Sequence, residues 1–426
     1  MKQAAPETVD VLILGGGIAG LGAALRAREL GRQAVVFEAR ERAGGLLDNY
    51  TVDGFRFDHA VHLSFATEPR VRQVFDRTPS WTHPADARCF ETDRWLKHPV
   101  QNNLSPLAAS DKVQLLKSFL ARPELLAGDD YESWLRHQYG DALAERYPLR
   151  YTRKYWASPA HELGTAWIGP RMRRAELDEI LLGLFSAETP HAYYTKEMRY
   201  PKQGGYRAFI EPLIDDTEMR LSHRAVSIDT SARTVRFDNG CSVAYRTLVS
   251  SLPLPLMPGF IEGMPADIRA DAQRLVATSI DLVSVGFNKP LVQDLWFYIY
   301  DETIAAARAY SPSVKSPDAA PPGCSSLQFE VYSRGTVSAH DPEALRANTV
   351  QALQQMGIAQ PEDIAVLHHK HIPWGNVIFD LGMEARRDRV RAWLRAQGVQ
   401  TCGRFGEWDY LWSNQSLLSG HAALQA

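Results

Sequence analysis

A glycine-rich stretch between two apolar runs, at residues 11–40, constrains the fold of this chain more than any other feature. Gly15, Gly17 and Gly20 form a GxGxxG pattern between a predicted strand and a predicted helix. The first glycine permits the tight turn, the second the approach of a pyrophosphate, and the third close packing of helix on strand. Glu38 ends the second apolar run, where a carboxylate accepts hydrogen bonds from a ribose and disfavours a 2′-phosphate. The stretch therefore predicts a βαβ unit that binds FAD or NAD but not NADP.

Bulk properties narrow the class of protein. The 426 residues are 45% hydrophobic and 23% charged, which is typical of globular chains with two or three domains or one large domain with insertions. The net charge of −3 provides no basic field, so we expect no nucleic-acid partner and no anionic membrane surface. The polar N-terminus has no signal-peptide core, and the apolar run after it is interrupted by glycines, so we expect no membrane span.

Cysteine usage indicates a reducing compartment. The four cysteines are far apart in the sequence and form no CxxC pair, which argues against a disulfide framework and a zinc site: Cys89, Cys241, Cys324 and Cys402. We therefore expect a cytoplasmic protein with reduced thiols. The run His368-His369-Lys370-His371 has no carboxylate or cysteine at a regular ligand spacing, so it is interpreted as a solvated strand face and no metal is expected.

The order of predicted elements indicates an α/β chain that leaves its first domain and returns to it. The segment between about 100 and 200 is rich in leucine and reads as mainly helical. Short strands follow from about 217, with turn residues at 238–240, and further strand-like runs between 280 and 335 suggest a second sheet. The proline-rich segment 311–326 is interpreted as a surface loop.

The residues after the second strand carry a family resemblance. The run EARERAGG supplies Glu38, Arg40, Gly44 and Gly45, and it resembles the pattern E-A-R-x-R-x-G-G of flavoenzymes. That family contains amine oxidases, protoporphyrinogen oxidase and UDP-galactopyranose mutase, and its arginine and glycines wrap FAD. The resemblance implies FAD, bound without a covalent link, rather than NAD.

Further segments continue the resemblance along most of the chain. GFRFDHAVHLSF is similar to the segment along one flavin face, YTRKYWASPAHELGTAWIGPR and YPKQGGYRAFIEPL to middle segments, and CGRFGEWDYLWSNQSLLSGHAAL to the closing motif. The final helix opens at Asn414, where relatives often carry aspartate. The residues that the motif and the resemblance together assign to the cofactor are Gly15, Gly17, Gly20, Glu38, Arg40, Gly44, Gly45, Leu46, Val226, Gly403, Gln415 and Ser416.

The resemblance implies a fold and its division along the chain. We expect an α/β fold with a Rossmann-like FAD-binding domain of the glutathione-reductase type, interleaved with a substrate-binding sheet and a helical region. The discontinuous FAD-binding domain is expected at 1–70, 200–260 and 395–426. A mainly helical region is expected at 71–199 and a substrate-binding α+β region at 261–394.

The resemblance also assigns candidate catalytic residues, each with a plainer alternative. His62 is expected beside the flavin, with His59 as the rival position and a core histidine as the alternative role. Arg308 is expected to bind a substrate phosphate, the alternative being a structural cation–π partner.

Substrate contacts are expected from an arginine of the middle segment and from aromatic rings. Arg171 is the candidate arginine, and Arg173 and Arg174 compete with it. The expected substrate-binding aromatic residues are Tyr300, Trp408 and Tyr410, in a wider aromatic set that includes Tyr298, Tyr310 and Trp412.

The function expected from the resemblance is flavin chemistry on a sugar nucleotide or related carbohydrate, either mutase-like or redox. One alternative is an amine oxidase or desaturase acting on a small apolar or amine substrate. Another is a flavin-binding protein without catalysis, which the Asn414 departure keeps open. The substrate partner is a small molecule in the first two cases, and the sequence leaves the oligomeric state open.

Overall fold

The computed structural model describes residues 7–169, 176–190 and 197–424. Within these ranges the strands are β1 (Glu7–Leu14), β2 (Ala34–Phe37), β3 (Asn49–Val52), β4 (Phe55–Asp58), β5 (Ser80–His83), β6 (Arg88–Glu91), β7 (Arg94–Lys97), β8 (Met198–Pro201), β9 (Met219–Arg220), β10 (Ala225–Asp229), β11 (Thr234–Phe237), β12 (Ser242–Ser250), β13 (Thr278–Phe287), β14 (Trp296–Ile299), β15 (Arg308–Tyr310), β16 (Ser325–Arg334), β17 (Ile364–Ile372) and β18 (Val399–Thr401). The α-helices are α1 (Ile18–Glu29), α2 (Pro69–Phe75), α3 (Ala109–Leu120), α4 (Tyr131–Tyr139), α5 (Asp141–Arg146), α6 (Pro148–Tyr155), α7 (Leu177–Phe185), α8 (Glu211–Asp215), α9 (Met257–Phe260), α10 (Ala266–Gln273), α11 (Pro312–Lys315), α12 (Pro342–Gln355), α13 (Met383–Ala396), α14 (Gly403–Glu407) and α15 (Ser413–Ala422).

The first sheet contains the predicted βαβ unit. Its strand order is β10-β11-β12-β1-β2-β9, and β18 pairs with the last residues of β12. β1 is parallel to both β2 and β12, so Leu14, Phe37 and Ser250 end these strands at the same edge. The inner residues of β1 are buried because the strand is covered on both faces, which explains its continuous apolar run. Ligands of such sheets bind at the carboxyl edge, where the glycine loop lies.

The second sheet has the order β17-β13-β16-β15-β14-β6-β7. Its central strands β13 and β16 run antiparallel over ten residue pairs, from Thr278↔Arg334 to Phe287↔Ser325. Both strands are buried along nearly their whole length, and polar residues such as Glu330 lie in the interior with the apolar ones. These polar side chains therefore require partners inside the protein.

The structure modifies two sequence predictions of organisation. Helices α3 to α7 occupy the predicted helical region, but β6 and β7 fall inside it and join the second sheet, with β6 parallel to β14. The prediction of a surface loop at 311–326 holds only in part: Pro317, Asp318, Pro322 and Gly323 are exposed, but α11 packs inward and Lys315 and Ser316 are buried. The turn at 238–240 does join β11 and β12, with Gly240 at φ +85°.

Candidate active site

One cavity of about 400 Å³ opens at the carboxyl edge of the first sheet and reaches residues of the second. Most of the site residues predicted from the sequence line it: Gly15, Gly17, Glu38, Arg40, Gly44, Gly45, Leu46, His62, Arg308, Gly403, Tyr410 and Ser416. The fold thus brings the glycine loop, the candidate histidine and the candidate arginine to one cavity, although up to 293 positions separate them in the sequence, from 15 to 308.

The glycine loop is held in shape by its neighbours. Gly20 lies in α1 with its Cα so close to the loop that an added Cβ would be 2.0 Å from the carbonyl oxygen of Gly15. Glu38 accepts hydrogen bonds from the backbone N–H groups of Gly16, at 2.7 Å, and Arg40, at 2.9 Å. A carboxylate has about four acceptor sites, so these two bonds leave Glu38 able to accept ribose hydroxyls as well.

The space beside Gly17 fits a dinucleotide. Gly17 is the N-cap of α1, and the nearest heavy atom to a Cβ added there is the Cα of Gly45, at 3.9 Å. Gly44 donates its N–H to the carbonyl of Gly16 at 2.8 Å, so the second glycine pair lies against the loop. The N-terminus of a helix that begins at the cavity presents free N–H groups and a partial positive charge to a pyrophosphate. The nearest protein atoms leave room for a side chain at Gly17, whereas a pyrophosphate bound beside the loop would not.

His62 follows β4 and faces the cavity. Its Nε2 lies 2.9 Å from the carbonyl of Leu46 and 3.2 Å from that of His59, and its ring lies 5.1 Å from the ring of Tyr206. Because both oxygens can only accept, Nε2 carries the proton and Nδ1 is left as an acceptor. Burial lowers the pKa of His62 to about 4, against the opposing effect of Asp58, so the imidazole is neutral at pH 7.

Arg308 is held by a buried carboxylate on the neighbouring strand. Its Nε donates to Oε2 of Glu330, and its Nη2 donates to the hydroxyl of Tyr332 at 3.0 Å. Glu330 has no exposed surface and also accepts from the N–H of Val61 at 2.7 Å. Although burial opposes the charge, the Glu330 carboxylate keeps the pKa of Arg308 well above its usual value. A fixed cation is therefore positioned in the cavity, and the same carboxylate fixes the turn that precedes His62.

The N-terminus of α15 also reaches the cavity. Trp412, Ser413 and Ser416 line it, and the helix packs along α1. Asn414 is buried and donates from Nδ2 to Glu68 at 2.8 Å, so the residue that departs from the family pattern has a structural partner. Gln415 accepts the N–H of Trp412 at 2.9 Å, which uses its side-chain oxygen to cap the helix.

Several predicted site residues lie outside the cavity lining. Gly20 supports the loop from within α1, Val226 lies on β10, and Gln415 caps α15. Tyr300 and Trp408 are buried in the core, with 7% and 0% exposure. The prediction that their rings line the cavity is therefore wrong. Among the wider aromatic set, Tyr310 is also in the core, whereas Tyr298 and Trp412 line the cavity. Arg171, Arg173 and Arg174 lie outside the described residues.

The histidine run on β17 is more enclosed than the predicted solvated face. His369 and His371 lie 2.9 and 3.1 Å from the same carboxylate oxygen of buried Asp281. Over the ranges that the structure describes, no group of three or more histidine, cysteine or acidic side chains has the arrangement of a metal site. The carboxylate on β13 that His369 and His371 share accounts for these two histidines.

Sequence reasoning missed three residues that shape the cavity. Arg404 lines it, and its Nε donates to the carbonyl of Leu411 at 2.9 Å. The residue belongs to the closing motif CGRFGEWDYLWSNQSLLSGHAAL but is not among the predicted site residues. Tyr155 lines it, and its hydroxyl lies 2.9 Å from that of Tyr410. Glu330 is the only acidic residue of the strand-like run 325–334, and an acidic residue that such a strand buries needs a partner inside the protein.

Three buried histidines predict a loss of stability in mild acid. Burial lowers the pKa of His59, His62 and His98 to about 4 in the folded protein. The unfolded chain binds these protons below about pH 6.5, so the free energy of unfolding should fall between pH 6.5 and 4, by on the order of 3 kcal/mol for each histidine. Urea unfolding of the FAD-loaded protein across this range measures it.

A matched pair of variants checks the source of that pH dependence. His98→Gln should reduce the slope of unfolding free energy against pH, whereas His340→Gln, at an exposed position, should leave it unchanged. A free energy of unfolding that stays constant from pH 6.5 to 4.5 would contradict the assignment.

Comparisons with known proteins agree with this geometry. The family model for flavin-containing amine oxidoreductases matches residues 18–403. The structure is similar to that of a reduced UDP-galactopyranose mutase, with a TM-score of 0.91 and 24% identity, covering 98% of this chain and 94% of that one. It is also similar to cyclohexylamine oxidase from Brevibacterium oxydans IH-35A, with a TM-score of 0.66 and 17% identity, covering 98% of each chain. At these identities the two structures show a shared fold.

Curated relatives match over short segments. The chain is 43% identical over 53 residues to an inactive all-trans-retinol 13,14-reductase of Danio rerio, which is 12% of this chain and 9% of that protein. It is 51% identical over 47 residues to a 1-hydroxycarotenoid 3,4-desaturase of Flavobacterium sp. (strain P99-3), 11% of this chain and 10% of that protein. The chain thus spans about a tenth of the length of the curated relatives it matches.

Proposed function

The chain belongs to the flavin-containing amine oxidoreductases, a family of FAD-dependent enzymes, and from this premise we propose that it acts on a sugar nucleotide or related carbohydrate. The observation that carries the proposal is Arg308, a cation held in the FAD cavity by buried Glu330. A desolvated diphosphate needs fixed cations, and a guanidinium offers it paired hydrogen bonds.

The positions of the cavity residues suggest which part of FAD each would contact. The glycine loop and Glu38 would hold the pyrophosphate and ribose of FAD, and Arg40, Gly44 and Gly45 would support the same half. When bound, the flavin supplies a redox-active or nucleophilic N5 atom. Neutral His62 offers Nδ1 as an acceptor beside it, and Ser416 and the N-terminus of α15 favour negative charge.

The substrate half of the cavity combines cations with aromatic rings. Arg308 and Arg404 line it together with Tyr155, Tyr298 and Tyr410. The arginines offer hydrogen-bond donors to an anionic substrate, and they offer no acceptor to a protonated amine. The rings suit the face of a sugar or a base, and Arg308 lies 5.1 Å over the ring of Tyr155. We propose that the substrate bound in this half undergoes either a mutase-like reaction, which returns the flavin unchanged, or a redox reaction.

The aromatic lining also supports a second candidate, an amine oxidase or desaturase. Trp296, Trp412 and Phe65 line the cavity and present apolar surface that a small apolar or amine substrate could fill. Oxygen consumption distinguishes the two candidates, because an oxidase passes electrons to oxygen in every turnover.

We expect the FAD-loaded protein to bind UDP or dTDP and to release no peroxide with simple amines. Flavin fluorescence during titration with each nucleotide measures binding, and a coupled peroxidase assay with putrescine and cyclohexylamine measures oxidase activity. Reoxidation of dithionite-reduced protein in air should be slow. Absence of binding at millimolar nucleotide would reject the sugar-nucleotide proposal, and stoichiometric peroxide from an amine would favour the second candidate.

We also propose a cytoplasmic location. The four cysteines are all free in the structure, and two of them, Cys89 and Cys402, are buried thiols, as is usual in a reducing compartment. None of the helices in the described ranges is both long enough and apolar enough to span a bilayer.

A further inference from the structure

A buried ion pair lies behind the turn that carries His62. Nζ of Lys315 is 3.0 Å from Oδ2 of Asp58, and the two side chains are 0% and 1% exposed. The Lys315 ammonium also lies over the rings of Tyr200 and Tyr310, at 4.4 and 4.2 Å. A buried ion pair gains little over two apolar residues, so its stability alone does not account for it.

Asp58 is the anchor of the turn. It ends β4, and its carboxylate accepts from the hydroxyl of Tyr200 at 2.7 Å and from the N–H of Tyr206 at 3.1 Å. Its own carbonyl accepts from the N–H of Ala60, which has φ +81°, a left-handed value that costs an alanine energy. The surrounding bonds must therefore hold this turn in place, and it leads directly into His62.

The charges of the pair act on His62 in opposite directions. Asp58 favours the protonated imidazole, whereas Lys315 and Arg404 disfavour it. The other neighbours are the ring of Tyr206 and the carbonyls of Leu46 and His59, which fix the Nε2–H tautomer. Removing the ammonium would leave Asp58 as an uncompensated negative charge close to the imidazole, and the carboxylate's pKa is already held below its usual value by Lys315.

We propose that Asp58 and Lys315 are positioning residues for the active site: the pair fixes the turn 58–62, and the ammonium balances the carboxylate so that no net charge lies behind His62, whose Nδ1 is free to accept. The side of the cavity expected to face the flavin therefore keeps a neutral imidazole, because burial lowers the pKa of His62 and Lys315 offsets the opposing effect of Asp58. This effect on the flavin rests on the proposed function, which places His62 beside the flavin. The role of the pair in fixing the turn does not, and it can be tested without a substrate.

The test replaces Lys315 with a neutral residue that can still donate to Asp58. In FAD-loaded protein with labelled histidines, Lys315→Gln should raise the pKa of His62 by about one unit or more, or about tenfold or more in proton affinity. NMR titration measures this, with the resonance assigned by His62→Gln. The visible flavin spectrum should become pH-dependent around pH 5 to 6 in Lys315→Gln and stay nearly constant over that range in the wild type.

Two further variants keep the test decisive. Asp58→Asn/Lys315→Gln removes both charges and should return the pKa of His62 toward the wild-type value. Lys154→Gln is the matched control, because Lys154 is a partly buried lysine whose Nζ donates to the carbonyls of Ile299 and Asp301. It should leave His62 unchanged.

Three outcomes would overturn the proposal. One is an unchanged His62 titration in Lys315→Gln, and another is an equal shift in Lys154→Gln. The third is failure of both Lys315→Gln and the double variant to fold, which would make the pair a structural element only. Failure of UDP and dTDP to bind would reject the proposed substrate class and leave this result standing.

Discussion

Gly17→Val is expected to give a folded protein without FAD. Gly17 has φ −80°, which any residue adopts, and an added Cβ would have only an ordinary contact with Gly45. The protein therefore tolerates a side chain at this position. The two γ-methyl groups would enter the cavity at the N-terminus of α1, where the pyrophosphate is expected. Absorbance near the flavin bands and FAD released by heat measure the loss, and circular dichroism reports the fold.

Two further glycine variants test whether the loss of FAD is specific to position 17. Gly259→Val is the matched control, because an added Cβ there meets no heavy atom within 4 Å, and the variant should retain full FAD content. Gly20→Ala should instead destabilise the fold, since its Cβ would be 2.0 Å from the Gly15 carbonyl oxygen. Normal flavin content in Gly17→Val would show that the pyrophosphate lies elsewhere.

Loss of the Arg308 guanidinium should weaken nucleotide diphosphate binding with FAD retained. Removing Arg308 alone would leave the fully buried Glu330 carboxylate without its cation, at a cost of about 3–5 kcal/mol. The informative variant is therefore Arg308→Met/Glu330→Gln, which removes both charges. Its affinity for UDP or dTDP should fall by about 1.5–3 kcal/mol, roughly ten- to a hundredfold, as expected for hydrogen bonds to a charged group.

Single variants separate the contributions of charge and geometry. Arg308→Lys retains the charge near Glu330 but loses the planar fork, so it should recover only part of the affinity. Glu330→Gln, with Arg308 intact, should bind nucleotide more tightly than the double variant. Flavin fluorescence titration measures each affinity. Loss of FAD from Arg308→Lys would assign Arg308 a structural role and remove the main support for the proposed substrate.

The sequence by itself determined the cofactor half of the protein. The strand, glycine loop, helix and Glu38 lie within residues 11–40, and local turn and packing rules fix their arrangement. The prediction of an α/β fold with FAD was confirmed for this reason. The same stretch also located β1, α1 and β2.

The tertiary structure alone decided which polar and aromatic side chains meet in the cavity. Tyr298 lines the cavity and Tyr300 lies in the core, although both rings contact the ring of Tyr151, because the ring of Tyr147 also packs against Tyr300. The pairs Arg308–Glu330 and Asp58–Lys315 join residues 22 and 257 positions apart. No local rule encodes such pairs, since the requirement that buried charges find partners constrains the completed fold and not the neighbouring sequence.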